Sequence, residues 1–261
     1  MSHALSFRIM LAAVLGLVAA GGNVLGGYFV VYRDWPRRFL KYFLALGAGY
    51  MLAVALLEVI PESVRLGGVD ALLYVLIGFF LVHVFEHTLA PHFHSGPPVY
   101  VSGAEVHAAP AGSHSHDHDP QHSRSTVMVG LAIHTFFDGV AIAAGFMVST
   151  WLGAVIFFAV FLHKVPEGFT VASLEMAGGY GKKSAMRAAG LLGATTLAGV
   201  LLTSQLQNQL KYALPLSGGV ALYVAATDLL PEVNKEPGWR MPLLVLVGVA
   251  SLLILRAFFG V

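Results

Sequence analysis

The chain has 261 residues, of which 57% are hydrophobic and only 11% are charged. Soluble domains contain about 25% charged residues, so this composition argues against a soluble globular domain and indicates a polytopic membrane protein. The formal net charge of +1 gives no reason to expect a nucleic-acid partner, and the lack of cysteine excludes disulfides and thiolate metal ligands.

Apolar stretches long enough to cross a bilayer recur along the whole chain. An α-helix needs about twenty mainly apolar residues to cross the hydrocarbon core. By this criterion we predict eight spans, at about residues 5–32, 39–60, 71–91, 125–148, 151–177, 184–205, 212–233 and 240–260. The predicted fold is therefore an all-α membrane protein with one transmembrane domain over residues 1–261.

Lysine and arginine residues predict the orientation of these spans. Ten of them lie in or beside the connections between spans 1–2, 3–4, 5–6 and 7–8, whereas four lie on the other side. Cytoplasmic loops carry an excess of these residues. Both termini are therefore predicted to be extracytoplasmic, and the connection between spans 3 and 4 to be cytoplasmic.

That connection, residues 92–124, is the only long polar stretch of the chain. It contains seven histidines and is rich in glycine, proline and serine. Such a composition cannot build a core, so we expect a disordered His-rich loop. It could act as a weak metal buffer or serve only as a solvated linker.

Spans 4 and 5 each contain a histidine and a carboxylate four residues apart, His134 with Asp138 and His163 with Glu167. This spacing places both side chains on one helix face. Ionisable residues within a span are energetically costly to bury, so those that occur usually have a function. Because the spans run antiparallel, His134 should lie level with Glu167, and Asp138 with His163. Two imidazoles and two carboxylates could hold one divalent transition metal. Alternatively, they form two hydrogen-bonded pairs that join the helices.

Spans 2 and 7 end in similar motifs, Glu58-Val-Ile-Pro61 and Asp228-Leu-Leu-Pro231. Each proline lacks an N–H group and so frees a backbone carbonyl one turn earlier. Spans 2 and 7 run in opposite directions, as do spans 4 and 5, so the pattern predicts an inverted repeat. Inverted repeats with a midplane binding site are typical of secondary transporters.

Other polar residues in the spans are candidates for supporting roles. Thr135 and Lys164 should line the metal site. Lys164 could reduce repulsion between the carboxylates when no metal is bound, or it could extend toward water. A further set could form a transport pathway or lie at the interface as ordinary polar groups: Glu58, His83, Glu86, His87, Glu175 and Asp228.

These motifs resemble those of the ZIP (zinc/iron-regulated-transporter-like) family. The family's span-4 motif is usually His-Asn-x-x-Asp/Glu-Gly, and this chain has His134-Thr-Phe-Phe-Asp138-Gly. The span-5 motif is often His-Glu/Asn-x-Pro-Glu/His, and this chain has His163-Lys-Val-Pro-Glu167. The similarity extends over the full chain, including eight spans, outside termini and a His-rich loop.

The resemblance implies a non-enzymatic transporter that moves Zn²⁺ and related cations into the cytoplasm by alternating access, commonly as a homodimer. Fe²⁺, Mn²⁺ and Cd²⁺ are the related candidates, and the metal is a substrate, not a cofactor. In binuclear members, the positions of Thr135 and Lys164 usually carry an asparagine and often a carboxylate, which serve a second metal. Because threonine and lysine stand there in this chain, we predict a mononuclear site. The expected location is the lipid bilayer of the plasma (inner) membrane.

Two enzymatic functions are alternatives. An intramembrane zinc-dependent hydrolase would need an open coordination position, which four protein ligands would not leave. The sequence also lacks His-Glu-x-x-His. A lipid desaturase would need several histidine boxes at the cytoplasmic face, and the histidines here are too few and too scattered.

Overall fold

The computed structural model of the chain describes residues 3–33, 37–88 and 120–259. Within these ranges all regular secondary structure is helical, and eight helices are long and apolar enough to cross a membrane. They are α1 (His3–Tyr32), α2 (Arg37–Val54 and Ile60–Gly67), α3 (Ala71–Thr88), α4 (Pro120–Val148), α5 (Thr150–Ala177), α6 (Gly181–Gln205), α7 (Leu210–Tyr223 and Leu230–Asn234) and α8 (Arg240–Phe259). The prediction of an all-α protein with eight such helices is confirmed.

Two boundaries differ from the predicted spans. Helix α2 continues to Gly67 and stops at Gly68, whose φ of +70° favours glycine at a helix end. Helix α4 begins at Pro120, inside the predicted loop, where proline suits a first turn because its missing N–H would have no helical partner. Residues 89–119 of the His-rich stretch lie outside the described residues, so its disorder stays a prediction.

The two halves of α2 and of α7 are joined by short π-helical segments, Ala55–Val59 and Val224–Leu229. In both, an N–H donates to the carbonyl five residues earlier: Ile60 to Ala55 and Leu230 to Ala225. A proline, Pro61 or Pro231, stands two residues after the end of each segment and cannot complete the ordinary α-helical bonding. The matching motifs of spans 2 and 7 therefore adopt matching local structure, and the inverted repeat itself stays a prediction.

Glycines allow helix α1 to meet α5, and α4 to meet α6, backbone against backbone. A Cβ atom added at Gly168 would lie 1.9 Å from the Asn23 carbonyl oxygen on α1. One added at Gly139 would lie 1.9 Å from the Thr196 carbonyl oxygen on α6. Small residues of this kind let membrane helices approach closely. Helices α1, α4, α5 and α6 consequently surround one polar cluster, while α2 packs mainly with α8 and α3 with α7.

Candidate metal centre

Helices α4 and α5 run antiparallel because Ser149 alone joins them. Its side-chain oxygen accepts a hydrogen bond from the Leu152 N–H and so caps the start of α5. This short turn fixes the register of the two helices. Their polar faces can therefore meet at equal depth, as the antiparallel arrangement predicts.

The histidine–carboxylate pairs of α4 and α5 come together in one cluster. His134, Asp138, His163 and Glu167 each place one potential ligand atom within 4.8 Å of the others. The Nε2 atoms of His134 and His163 both lie 3.3 Å from Asp138 Oδ2. Asp138 is thus level with His163, as expected, and it also contacts the other imidazole. We call this group the central cluster.

The hydrogen bonding of His163 directs one lone pair into the central cluster. Its Nδ1 lies 2.9 Å from the Ala159 carbonyl oxygen, which can only accept, so Nδ1 must carry a proton. A neutral imidazole then presents an unprotonated Nε2 toward Asp138, which is also an acceptor. Two acceptors face each other favourably only when a cation or a proton lies between them. Metal-binding histidines are commonly oriented in this way by a carbonyl.

Lys164 lies among the four residues of the central cluster rather than at their border. Its Nζ lies 2.6 Å from Asp138 Oδ2 and 2.7 Å from Glu167 Oε2, and its side chain is fully buried. The alternative in which it extends toward water is therefore wrong. Its Cα lies about 100° around the helix from that of His163, but the long side chain reaches back to both carboxylates. Its ammonium group balances part of their negative charge.

Sequence reasoning missed one residue of this region, Asn23 on α1. Its side chain is fully buried, and Nδ2 donates to Glu167 Oε2 at 3.2 Å. The available signal was a lone amide in an otherwise apolar part of span 1, and buried polar groups in membrane helices often have a function. Its partner could not be known without the packing of α1 on α5.

Thr135 bonds to the neighbouring helix α6. Its hydroxyl donates to the Ala132 carbonyl and shares a hydrogen bond with the Thr195 hydroxyl. The side chain is fully buried. Its described hydrogen bonds therefore join α4 to α6 and do not include the four candidate ligands.

Glu58 lies near the beginning of α5 and the end of α8. It accepts a hydrogen bond from Trp151 Nε1 at 3.2 Å, and Arg256 Nε lies 3.3 Å from its Oε1. A cavity of about 20 Å³ is lined by Asp138 and by Ala55 and Val59 of the same π-helical segment. Such a cavity admits a single water molecule but not a hydrated cation.

A second polar group lies between α3 and α7. The Tyr223 hydroxyl donates to Glu86 at 2.9 Å, and the Thr227 hydroxyl donates to Asp228 at 3.1 Å. His83 packs its ring 5.9 Å from that of Tyr223 and 4.2 Å from that of His87. The structure thus brings together four of the six predicted pathway residues. Of the remaining two, Glu175 accepts a hydrogen bond from Ser184 at the start of α6, and Glu58 lies beside Trp151 as described above.

A family model described as ZIP zinc transporter matches residues 5–256, nearly the whole chain. The protein belongs to the ZIP zinc transporter family. Among similar proteins, zinc transporter ZIP9-B of Xenopus laevis is 27% identical over 85% of this chain and 84% of its own. Zinc transporter YKE4 of Saccharomyces cerevisiae is 26% identical over 74% of this chain and 61% of its own. The Drosophila melanogaster zinc transporter ZIP13 homolog is 30% identical over 49% of this chain and 39% of its own.

Membership of the ZIP family makes this an integral, multi-pass membrane protein of a non-enzymatic class. The relatives are named as zinc transporters and give no support to the hydrolase alternative. The central cluster lies in the two helices that carry the family resemblance.

Proposed function

We propose that this ZIP family protein is a secondary transporter that moves a divalent transition metal, chiefly Zn²⁺, into the cytoplasm. The supporting observation is the buried cluster of His134, Asp138, His163 and Glu167, with ligand atoms within 4.8 Å of one another. Two imidazoles and two carboxylates suit four-coordinate zinc and balance its charge. The relatives' names point to the same substrate. Fe²⁺, Mn²⁺ and Cd²⁺ are further candidates, because such a ligand set discriminates weakly among them.

The site binds one cation at a time. A second cation beside the first would meet the ammonium group of Lys164, which contacts both carboxylates from within the cluster. In a buried setting this like-charge repulsion is strong. Lys164 therefore favours a mononuclear site.

Loading of the site is an exchange between the lysine ammonium and the incoming cation. Lys164 donates hydrogen bonds to Asp138 Oδ2 and Glu167 Oε2, and these oxygens are also the candidate ligands. A bound cation takes over these oxygens, and the ammonium must withdraw from at least one of them. The unloaded site thereby keeps its carboxylates paired, which lowers the cost of burying them without metal.

The pathway runs through the two π-helical regions, and the site is exposed to each side in turn. Glu58 attracts the cation at the outer end, and the cation leaves past Asp228, Glu86 and the neighbouring His83 and His87, with Glu175 on the cytoplasmic side. We take the small cavity beside Asp138 to lie on the outer side of the site, between it and Glu58, in a state closed to hydrated cations. The excess of lysine and arginine in alternate connections supports extracytoplasmic termini.

The proposed setting is the plasma (inner) membrane, with the protein as a homodimer and residues 1–261 as one domain. The matching motifs and π-helical segments of α2 and α7 support the inverted repeat of alternating-access transporters. The His-rich loop would then face the cytoplasm, where its histidines could bind released metal weakly.

Radioactive zinc uptake into proteoliposomes tests the proposal. We expect His134→Ala and Glu167→Gln each to lower uptake by about 100-fold or more, since even residues that only orient ligands contribute 10- to 100-fold. The matched control is Glu232→Gln, which neutralises an acid whose ion pair with Lys235 is exposed. Wild-type uptake by either cluster variant would contradict the proposed site, and competition by other cations would rank the substrates.

A further inference from the structure

Helix α1 contributes a side chain to the central cluster although it contains none of the candidate ligands. Asn23 has no solvent exposure, and its Nδ2 donates to Glu167 Oε2 at 3.2 Å. The same oxygen accepts a hydrogen bond from Lys164 Nζ at 2.7 Å. Glu167 is therefore oriented from two directions, by its own helix and by α1.

The position of Asn23 relative to Glu167 is fixed by backbone contact. A Cβ atom at Gly168 would lie 1.9 Å from the Asn23 carbonyl oxygen, and one at Gly26 would lie 2.1 Å from the Val165 carbonyl oxygen. These contacts occur immediately beside Asn23 and Glu167 in sequence. Because the two backbones touch there, the amide cannot drift away from the carboxylate without separating the helices.

Stability alone does not account for an asparagine at this position. A buried amide is costly to transfer from water unless both of its polar atoms are hydrogen-bonded. Nδ2 is bonded to Glu167, but Oδ1 is buried and has no hydrogen-bond partner among the described residues. A leucine would fill similar space without this cost. A half-satisfied buried amide is the kind of exception that calls for a functional reason.

Cation loading supplies such a reason. When a cation displaces the Lys164 ammonium from Glu167, the carboxylate loses the stronger of its two fixed partners. The Asn23 amide carries no charge and does not compete with the cation electrostatically. It can therefore remain bonded to the carboxylate in both states and keep its orientation constant.

We propose that Asn23 is a positioning residue of the metal site, whose amide holds the Glu167 carboxylate ready for the cation. This inference rests on the proposed function of the central cluster. Residues that orient metal ligands typically contribute 10- to 100-fold to affinity. The uncharged amide on α1 thus sets how tightly the site binds its substrate.

The test is zinc affinity of the purified full-length protein, measured by competition with a fluorescent zinc chelator. We expect Asn23→Leu to weaken zinc binding about tenfold and to raise KM for uptake by the same factor. The unfolding temperature without zinc should stay the same or rise, because an unsatisfied amide is removed. Asn23→Ala serves as a second variant should leucine prevent folding, and it should weaken binding equally.

Thr196→Val is the matched control, since Thr196 is a fully buried polar residue whose hydroxyl, among the described residues, donates to the Leu192 carbonyl of its own helix. It should leave zinc affinity unchanged. Wild-type affinity in the Asn23 variants, or an equal loss in Thr196→Val, would overturn the inference. Glu167→Gln separates the two hypotheses: if it weakens binding and Asn23→Leu does not, only the inference fails. If neither does, the proposed site itself fails.

Discussion

Glu58 and Asp228 stand at matching positions of a repeated motif, in matching π-helical segments, but their electrostatic surroundings differ. Glu58 is held by the Trp151 N–H and by the Arg256 guanidinium. Asp228 accepts a hydrogen bond from the Thr227 hydroxyl, and in the described part of the chain no lysine or arginine pairs with it. The same backbone geometry therefore places an acid beside a cationic side chain in α2 and, in α7, an acid with which no lysine or arginine of the described residues pairs.

The central cluster resembles the surroundings of Glu58 in this respect. Its two carboxylates, like that of Glu58, are paired with a cationic side chain, here the ammonium group of Lys164. Under the proposed function, a metal ion would have to displace a cationic side chain at both places but not at Asp228. The protein therefore places cationic side chains of its own beside the carboxylates of the central cluster and beside Glu58.

Removal of the most deeply buried of these cationic side chains, that of Lys164, should have the largest effect on stability. We expect Lys164→Met to destabilise the metal-free protein by about 3–5 kcal/mol, because it leaves two buried carboxylates without their cation. Added Zn²⁺ should restore most of this stability, since the metal takes over the same charges. Denaturant unfolding in detergent, with and without zinc, measures both effects.

The control for this variant is Lys235→Met, which breaks an exposed ion pair with Glu232. Exposed pairs contribute about 0–1 kcal/mol, so stability should hardly change and should not depend on zinc. If Lys164→Met were as stable as wild type without metal, the Lys164 ammonium group would not stabilise the two carboxylates.

A smaller loss of stability is expected when the cation beside Glu58 is removed, because the Arg256 side chain is partly exposed. The Arg256 side chain is 35% exposed, so Arg256→Met should cost only about 1–2 kcal/mol, which lies between the values for exposed and buried ion pairs. The variant makes Glu58 resemble Asp228 electrostatically. Unchanged stability in the same unfolding assay would show that the pair has no energetic role and would weaken the comparison.

The parts of this arrangement that sequence reveals are those set by local geometry. Hydropathy predicts eight spans because a chain segment in lipid forms a helix to satisfy its own backbone, and such a helix needs a long apolar stretch to cross the bilayer. The i, i+4 spacing predicts that His134 and Asp138 share a face, and the short turn at Ser149 brings them to His163. The prolines after Glu58 and Asp228 indicate a disturbed backbone, which takes the π-helical form.

The parts that sequence does not reveal depend on contacts between distant helices. Asn23 reaches Glu167 only because glycines let α1 and α5 touch, and Arg256 reaches Glu58 because α8 packs against α2. Lys164 was expected to border the site, and only its side-chain conformation shows that it lies within the cluster. Orientation and the inverted repeat stay predictions, because they concern a membrane and a symmetry rather than a contact.

The smallest effect, and one of opposite sign, is expected for Asp228→Asn. Asparagine keeps the shape and can still accept the Thr227 hydrogen bond, while a half-buried carboxyl group that pairs with no lysine or arginine of the described residues is replaced by a neutral amide. Stability should therefore stay constant or rise by up to about 1 kcal/mol. The matched variant Glu58→Gln should lose stability, because it takes a carboxylate away from Arg256 and Trp151. If both neutralisations destabilised the protein equally, the surroundings of the two acids would not differ in the way that their contacts indicate.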